Sequence, residues 1–311
     1  MKTAELLNEW LTSYERESVK TRTYARYEGL INLHIVPALG EVEISELCRR
    51  QIQEFLTKKK KDGNIKQNGQ SLSATRTNLM LTVLNLAFEY ACDMEIVESN
   101  PCTRLKRVHA ESRAIDAFSK EEQRKLEQTI EESNDPRLFG IRLCLYSGLR
   151  IGELLGLEWK DVDLERGIIH IDKTVYREKD NTGAWNLVVD SPKTKASTRD
   201  IPLPKYMVKI LKMQIKLSKS VYVIENKKGE RMSIRSYQYI FERLTEKARI
   251  RTLNFHALRH TFATRALECG MDVKTLSEIM GHKNASITLN RYAHSMMDTK
   301  IKMMQKLHKI F

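Results

Sequence analysis

Apolar positions in the first hundred residues recur at helical spacing. Leu6, Leu7, Trp10 and Leu11 form one stripe, and Tyr24, Tyr27, Leu30 and Ile31 form a second. After "HIVPALG" a third helix is predicted from about Ile44 to Lys61. The polar break "KDGNIKQNGQS" then leads into a long apolar helix from about Ser73 to Cys92. The stretch "ESNPCTRLKRVHAESRAIDAF" that follows has no apolar period. The pattern therefore predicts a helical domain over residues 1–104 and a linker over 105–116.

A second domain is expected over 117–295. It opens on "SKEEQRKLEQTI", where Ser119 and Glu122 have the spacing of a capping box. A helix around Pro136 to Leu145 ends in "YSGLR", and another begins at "IGELLGL". The alternating text of "GIIHIDKTVYRE", "WNLVVDS" and "RDIPL" predicts three short strands joined by turns, after which helices resume. The fold class is mostly α with a small antiparallel β-sheet. Residues 296–311 form a last helix, with Met297, Ile301, Met304 and Phe311 near one face, Leu307 beside it and lysines around the rest.

Composition narrows the function. A chain of 311 residues is long enough for two cores. No apolar run approaches the roughly 20 residues that cross a bilayer, and "MKTAELLNEWLTSYERE" is too charged for a signal peptide. A cytoplasmic protein, nucleoid-associated when bound to DNA and without a membrane partner, is expected. The five cysteines are odd in number and show no CxxC pairing, so reduced core thiols are expected rather than a zinc site. The net charge is +13, of which residues 1–110 carry +2 and residues 111–311 carry +11. A basic surface can serve solubility alone, but neutralising phosphates releases counterions, and the balance favours nucleic acid.

Four separated stretches carry candidate chemistry. "SGLRIGE" places Arg150 at a helix start with Glu153 on the same face; "SPKTKASTRDIPL" places Lys193 in a turn. "HALRH" sets His256 and Arg259 one helical turn apart, and "GHKNASITLNRY" supplies His282 and Tyr292. Taken singly, each has a plain structural explanation: a surface arginine, a core histidine, a turn lysine, a packed tyrosine. Together they are what phosphoryl transfer by a tyrosine requires. A phenol with a pKa near 10 needs help to attack phosphorus. Two arginines can grip the non-bridging oxygens, a histidine can take or share the phenolic proton, and a lysine can protonate the departing oxygen. Guanidinium groups supply the charge, so no metal is needed.

The order R…K…HxxR…H…Y, in the contexts "SGLRIGELLGLEW", "HALRHTFATRALECGMDVKTLSEIMGH" and "TLNRYAH", resembles the tyrosine recombinases, or phage integrase family. The resemblance runs from about residue 115 to the end, and the first domain looks like the family's core-binding domain. It implies an α+β catalytic domain and a site-specific recombinase of a mobile element. In such an enzyme Tyr292 attacks a DNA phosphate, forms a 3′-phosphotyrosyl link and frees a 5′-hydroxyl. Arg150 and Arg259 would bind the scissile phosphate, Lys193 would be general acid, His256 the acid/base partner, and His282 would hydrogen-bond the phosphate. Glu153 would orient Arg150 or its helix, and His260 would be structural. No cofactor is implied. The partners implied are double-stranded DNA recombination sites and three further copies of the chain, giving a tetramer on DNA and a monomer or dimer when free. Accessory DNA-bending or directionality factors stay open. Lys20, Arg22, Arg26, Lys195 and Arg199 are candidate DNA contacts, and the two domains are expected to clamp opposite faces of the duplex.

The chain departs from the pattern at Ala257, where many relatives carry an acidic residue. It also starts directly at the core-binding domain, so the arm-binding domain of many large phage integrases is expected to be missing. Two other readings stay open. A type IB topoisomerase uses much the same residues, though the helical first domain and compact length favour a recombinase. A DNA-binding regulator with a decayed site is the other, though all six positions are intact.

Overall fold

The computed structural model describes residues 1–14, 19–64, 70–109, 116–179, 184–190, 198–282, 284–292, 301 and 304–305. The chain divides into two compact units, Met1–Arg113 and Ala114–Phe311.

The first unit is helical. α1 (Thr3–Glu9) runs into a π-helical turn, Trp10–Tyr14. α2 (Thr21–Leu30) continues through a similar turn, Ile31–Ile35, and a final Val36–Leu39. α3 spans Arg49–Asp62 and α4 spans Ala74–Asp93, capped by Ser73, whose hydroxyl accepts the Arg76 N–H. The apolar stripes meet in one core. Leu6, Leu7 and Trp10 are fully buried, and the Trp10 ring stacks on Tyr27 at 5.9 Å. Leu30, Ile31, Ile52, Phe55, Leu56 and the apolar face of α4 complete it.

α3 starts five residues later than its apolar spacing predicts. Ile44 and Leu47 are buried, yet they lie in a turn held to the chain start: the Thr3 N–H and hydroxyl both donate to the Val42 carbonyl, at 2.9 and 2.8 Å. Buried turn residues can mimic a helical period. The stretch expected as linker begins attached to the first unit, because Asn78 exchanges two hydrogen bonds of 2.8 Å with the Val108 backbone and Leu105 packs on the core.

In the second unit α5 (Lys120–Glu131) carries the capping box: Glu122 N–H donates to the Ser119 hydroxyl and Ser119 N–H to the Glu122 carboxylate. A 3₁₀ turn, Pro136–Leu138, leads into α6 (Phe139–Ser147), which ends at Gly148. That residue has φ +66°, and a Cβ there would stand 2.5 Å from the Phe262 ring, so both the backbone and the space require glycine. α7 (Ile151–Gly156) follows directly.

The β-rich text makes two small antiparallel sheets rather than one. β1 (Val162–Asp163), β2 (Ile168–Ile171) and β5 (Arg199–Pro202) form the first, in the order β1-β2-β5, with Ile168 opposite Pro202. β3 (Thr174–Lys179) and β4 (Trp185–Asp190) form a separate pair, with Thr174 opposite Asp190. "GIIHIDKTVYRE" therefore holds two strands. They part at Asp172–Lys173, where the Lys173 ammonium is held 2.7 Å from the Asp161 carboxylate beneath the turn.

α8 (Lys205–Leu217), α9 (Ile234–Lys247), α10 (His256–Glu268), α11 (Val273–Met280) and α12 (Ala285–Tyr292) complete the second unit. Its core is partly aromatic: Phe241 lies edge-on to Phe118 and Phe255, and buried Tyr237 donates its hydroxyl to the Arg137 carbonyl at 2.8 Å. Of the C-terminal stripe, Ile301 and Met304 are exposed, and the other apolar positions lie outside the described residues. Among the described residues no helix is long and apolar enough to cross a membrane.

Candidate active site

The site is built around the C-terminal end of α11. A helix end leaves its last carbonyls without N–H donors from a following turn. Here α11 stops because Gly281 turns left-handed at φ +61°, and the His282 N–H folds back to the Ser277 carbonyl at 3.0 Å. Three consecutive carbonyls then each receive an arginine. Arg199 Nε donates to Ile279 O at 2.6 Å, Arg259 Nη2 to Met280 O, and Arg150 Nη2 to Gly281 O at 3.4 Å. Cationic groups are favoured there, because the helix dipole places partial negative charge at its C-terminus.

Each arginine arrives by a different route. Arg150 is the N-cap of α7, in extended backbone at φ −75° and ψ 150°. Glu153, three residues on, reaches back to accept the Arg150 N–H at 3.0 Å and its Nη1 at 2.7 Å. Arg259 lies in the first turn of α10 with its guanidinium buried, and its Nη1 donates 2.7 Å to Gly148 O, two residues before Arg150. Arg199 opens β5 and sets two guanidinium nitrogens on the Glu153 carboxylate at 3.1 and 2.9 Å.

Glu153 is the shared anion. Its side chain is 5 % exposed. Burial pushes its carboxyl up, but the Arg199 hydrogen bonds and the charges of Arg199 and Arg150 outweigh that and hold it at about 2. It stays ionised across the working range and keeps Arg150 fixed. The Arg150 side chain is 36 % exposed, so its outer edge faces solvent and can meet an anion.

His282 follows Gly281 directly, and its Nδ1 lies 2.7 Å from the Thr288 hydroxyl. That bond ties the α11 end to α12, the short helix whose last residue is Tyr292. His256 is the first residue of α10 and is exposed; its ring sits edge-on to buried His260 at 4.6 Å. Ala257, where an acidic residue was the alternative, is fully buried in the apolar core. Arg150, Glu153, Arg259 and His282 are thus brought together. The side chain of Tyr292, and Lys193 and Lys195 entirely, lie outside the described residues.

The expected DNA contacts fare differently. Lys20, Arg22 and Arg26 are exposed at the cap and along one side of α2. Arg26 lines an open groove of about 450 Å³ with Ser73, Thr75 and Arg76. Arg76 is the single basic residue of α4, so no cluster of cations marks it in the sequence. Arg199 turns inward instead: its side chain is only 6 % exposed and bonds Glu153 and the Ile279 carbonyl. Nothing in "STRDIPL" marks that inward turn. The glycine of "MGH" does signal a helix end whose carbonyls need partners.

Both units match families of known proteins. The profile of the phage integrase family matches residues 116–299, and that of a phage integrase N-terminal SAM-like domain matches residues 4–60. A XerC-like tyrosine recombinase of Caldanaerobacter subterraneus subsp. tengcongensis is 30% identical, covering 99% of this chain and 83% of its own. The ICEBs1 integrase of Bacillus subtilis is 27% identical over 97% of this chain and 81% of its own. Among solved structures, the Tn1549 transposon integrase in complex with transposon right end DNA superposes with a TM-score of 0.82. It is 26% identical and covers 99% of this chain and all of that one. A lambda integrase dimer bound to a core site shares the fold at a TM-score of 0.67 and 18% identity, over 92% and 97% of the two chains.

Proposed function

The chain belongs to the phage integrase family and is a tyrosine-type site-specific recombinase, and from that premise we propose how its residues cut and rejoin DNA. Tyr292 attacks a DNA phosphate. The bond from phosphorus to the 5′-oxygen breaks as the bond to the phenolic oxygen forms, leaving a 3′-phosphotyrosyl link. His256 takes the phenolic proton and Lys193 protonates the departing 5′-oxygen. Arg150, Arg259 and His282 hold the non-bridging oxygens and stabilise the charge that develops on them. Attack by a 5′-hydroxyl on the link reverses the step, so the phosphodiester energy is retained and ATP is not consumed.

The observation that supports this most is the convergence of Arg150, Arg259 and His282 on one helix end, with His282 three residues before the helix that carries Tyr292. The substrate is double-stranded DNA at the ends or junction of a mobile element, as the names of the ICEBs1 and Tn1549 relatives suggest. The experiment is trapping: incubation with nicked duplexes carrying candidate element ends, scored for a covalent protein–DNA band. No band on any element end would overturn the reading. Relaxation of a plasmid that lacks any such site would point to a topoisomerase instead.

In the first unit, Lys20, Arg22 and Arg26 contact phosphates. Neutralising all three should weaken binding and flatten the dependence of log K on log salt by about 0.9 per lost contact. An unchanged slope in a titration would return these residues to a merely solvated face.

Exchange of two strand pairs needs four tyrosines, so the active assembly is a tetramer on two sites. The apolar stripe of the C-terminal segment docks in trans between neighbouring copies, head to tail, closing a ring. Deleting residues 296–311 should spare binding to a single site and abolish synapsis and recombination. Normal recombination of two sites by the truncated protein would sink trans docking.

A further inference from the structure

We infer that Arg199 is a positioning residue for strand cleavage, holding Arg150 in place through Glu153 and fixing the helix end that precedes His282. The inference rests on the reading that Arg150 and His282 grip the scissile phosphate.

The geometry is a two-way clasp. One edge of the Arg199 guanidinium lies against both Glu153 oxygens, at 3.1 and 2.9 Å, while Nε reaches Ile279 O at 2.6 Å. A planar fork with donors in fixed directions can serve a carboxylate and a carbonyl at once; a lysine ammonium cannot do so with the same geometry. Glu153 in turn holds Arg150 by its backbone N–H and by Nη1. Arg199 therefore acts on two elements of the site, the α7 cap and the α11 end, without facing the substrate itself.

Two further observations make the clasp specific. The approach is close: a Cβ on Gly281 would stand 3.0 Å from Arg199 Nη1 and 3.1 Å from its Cδ, so a glycine leaves room for this side chain. The pair is also buried on both sides, 6 % and 5 % exposed, where removing one partner strands the other's charge. A plain staple between β5 and α11 would not need the second anchor on Glu153.

The test must separate positioning from stability. Among the described residues, the charged and titratable groups facing Glu153 are Arg150 from α7, Arg199 from β5 and Cys144 from α6. The Cys144 thiol is kept neutral first by burial and then by the Glu153 charge. Without Arg199, burial raises the Glu153 carboxyl against the pull of Arg150 alone, so Glu153 is easier to protonate. Once protonated, it can no longer hold Arg150 as an ion pair, so cleavage should fail progressively as pH is lowered.

The full-length protein is assayed on nicked duplexes carrying element ends, for covalent-complex rate at saturating protein and separately for DNA affinity, from pH 6 to 8. Arg199→Gln should bind DNA as wild type does but form the complex roughly 10–100-fold more slowly at pH 8. Its rate relative to wild type should fall further at pH 6. Arg199→Lys keeps a charge beside Glu153 but not the fork, and should be slower than wild type with an unaltered pH dependence. A rate ratio for Arg199→Gln that is the same at both pH values overturns the inference, as does Arg199→Lys cleaving at the wild-type rate. If Arg199→Gln does not fold, the Arg199→Lys rate decides alone. Wild type and Tyr292→Phe run alongside: a wild type that forms no covalent complex fails the parent reading, whereas a normal wild type with indifferent Arg199 variants fails only this one.

Discussion

Tyr292→Phe is expected to form no covalent protein–DNA complex on a nicked duplex while binding that duplex with unchanged affinity. The substitution removes one oxygen and nothing else. In the proposed mechanism, phosphate binding comes from Arg150, Arg259 and His282, which converge on the α11 end, and from the basic surface. The attacking atom has no substitute, because the reaction proceeds only through a bond from that oxygen to phosphorus. The check is a denaturing gel for the covalent band beside a binding titration. A surviving band assigns the nucleophile elsewhere, and lost affinity would mean that Tyr292 also organises the binding surface.

Arg259→Ala should slow covalent-complex formation on the order of 100- to 1,000-fold, as removal of a preorganised donor to developing charge does. Its burial adds a second consequence. Arg259 closes the carbonyls of Gly148 and Met280, and each buried carbonyl left unpaired costs about 1–3 kcal/mol. Arg150→Ala should show a comparable catalytic loss with a smaller fall in stability, because its side chain is 36 % exposed. Thermal midpoints measured beside single-turnover rates separate the two effects. An Arg259→Ala protein within a few-fold of the wild-type rate would move that arginine out of the active site. An unshifted midpoint would mean that water satisfies both carbonyls.

Much of this was legible in the chain. Helical stripes such as Leu6–Leu7–Trp10–Leu11 became core because a 3.6-residue period has few other uses, and the Ser119–Glu122 box marked its helix start. Order and context of the six site positions carried the family. What escaped depends on tertiary pairing. Ile44 and Leu47 extend the α3 period but belong to a turn, since burial and not helicity sets the pattern. The strand text hid a break at Asp172–Lys173, where Lys173 pairs with Asp161 from before the strand. Arg199 looked like one more cation on a basic surface, because nothing local distinguishes an arginine facing DNA from one facing a buried glutamate.

The end of α11 also sets how such a chain can change length over evolution. Successive residues of a helix are turned about 100° from one another, so the carbonyls of Ile279, Met280 and Gly281 fan apart and must be met from different sides. β5, α10 and the α7 cap supply the three arginines from those sides. One residue inserted or deleted within α11 would rotate the fan and misalign all three partners together. The hairpin of β3 and β4 contributes no arginine to the fan. Insertions and deletions tolerated among homologues should therefore collect there and in surface turns, while the spacing from Asp272, which caps α11, to His282 stays invariant.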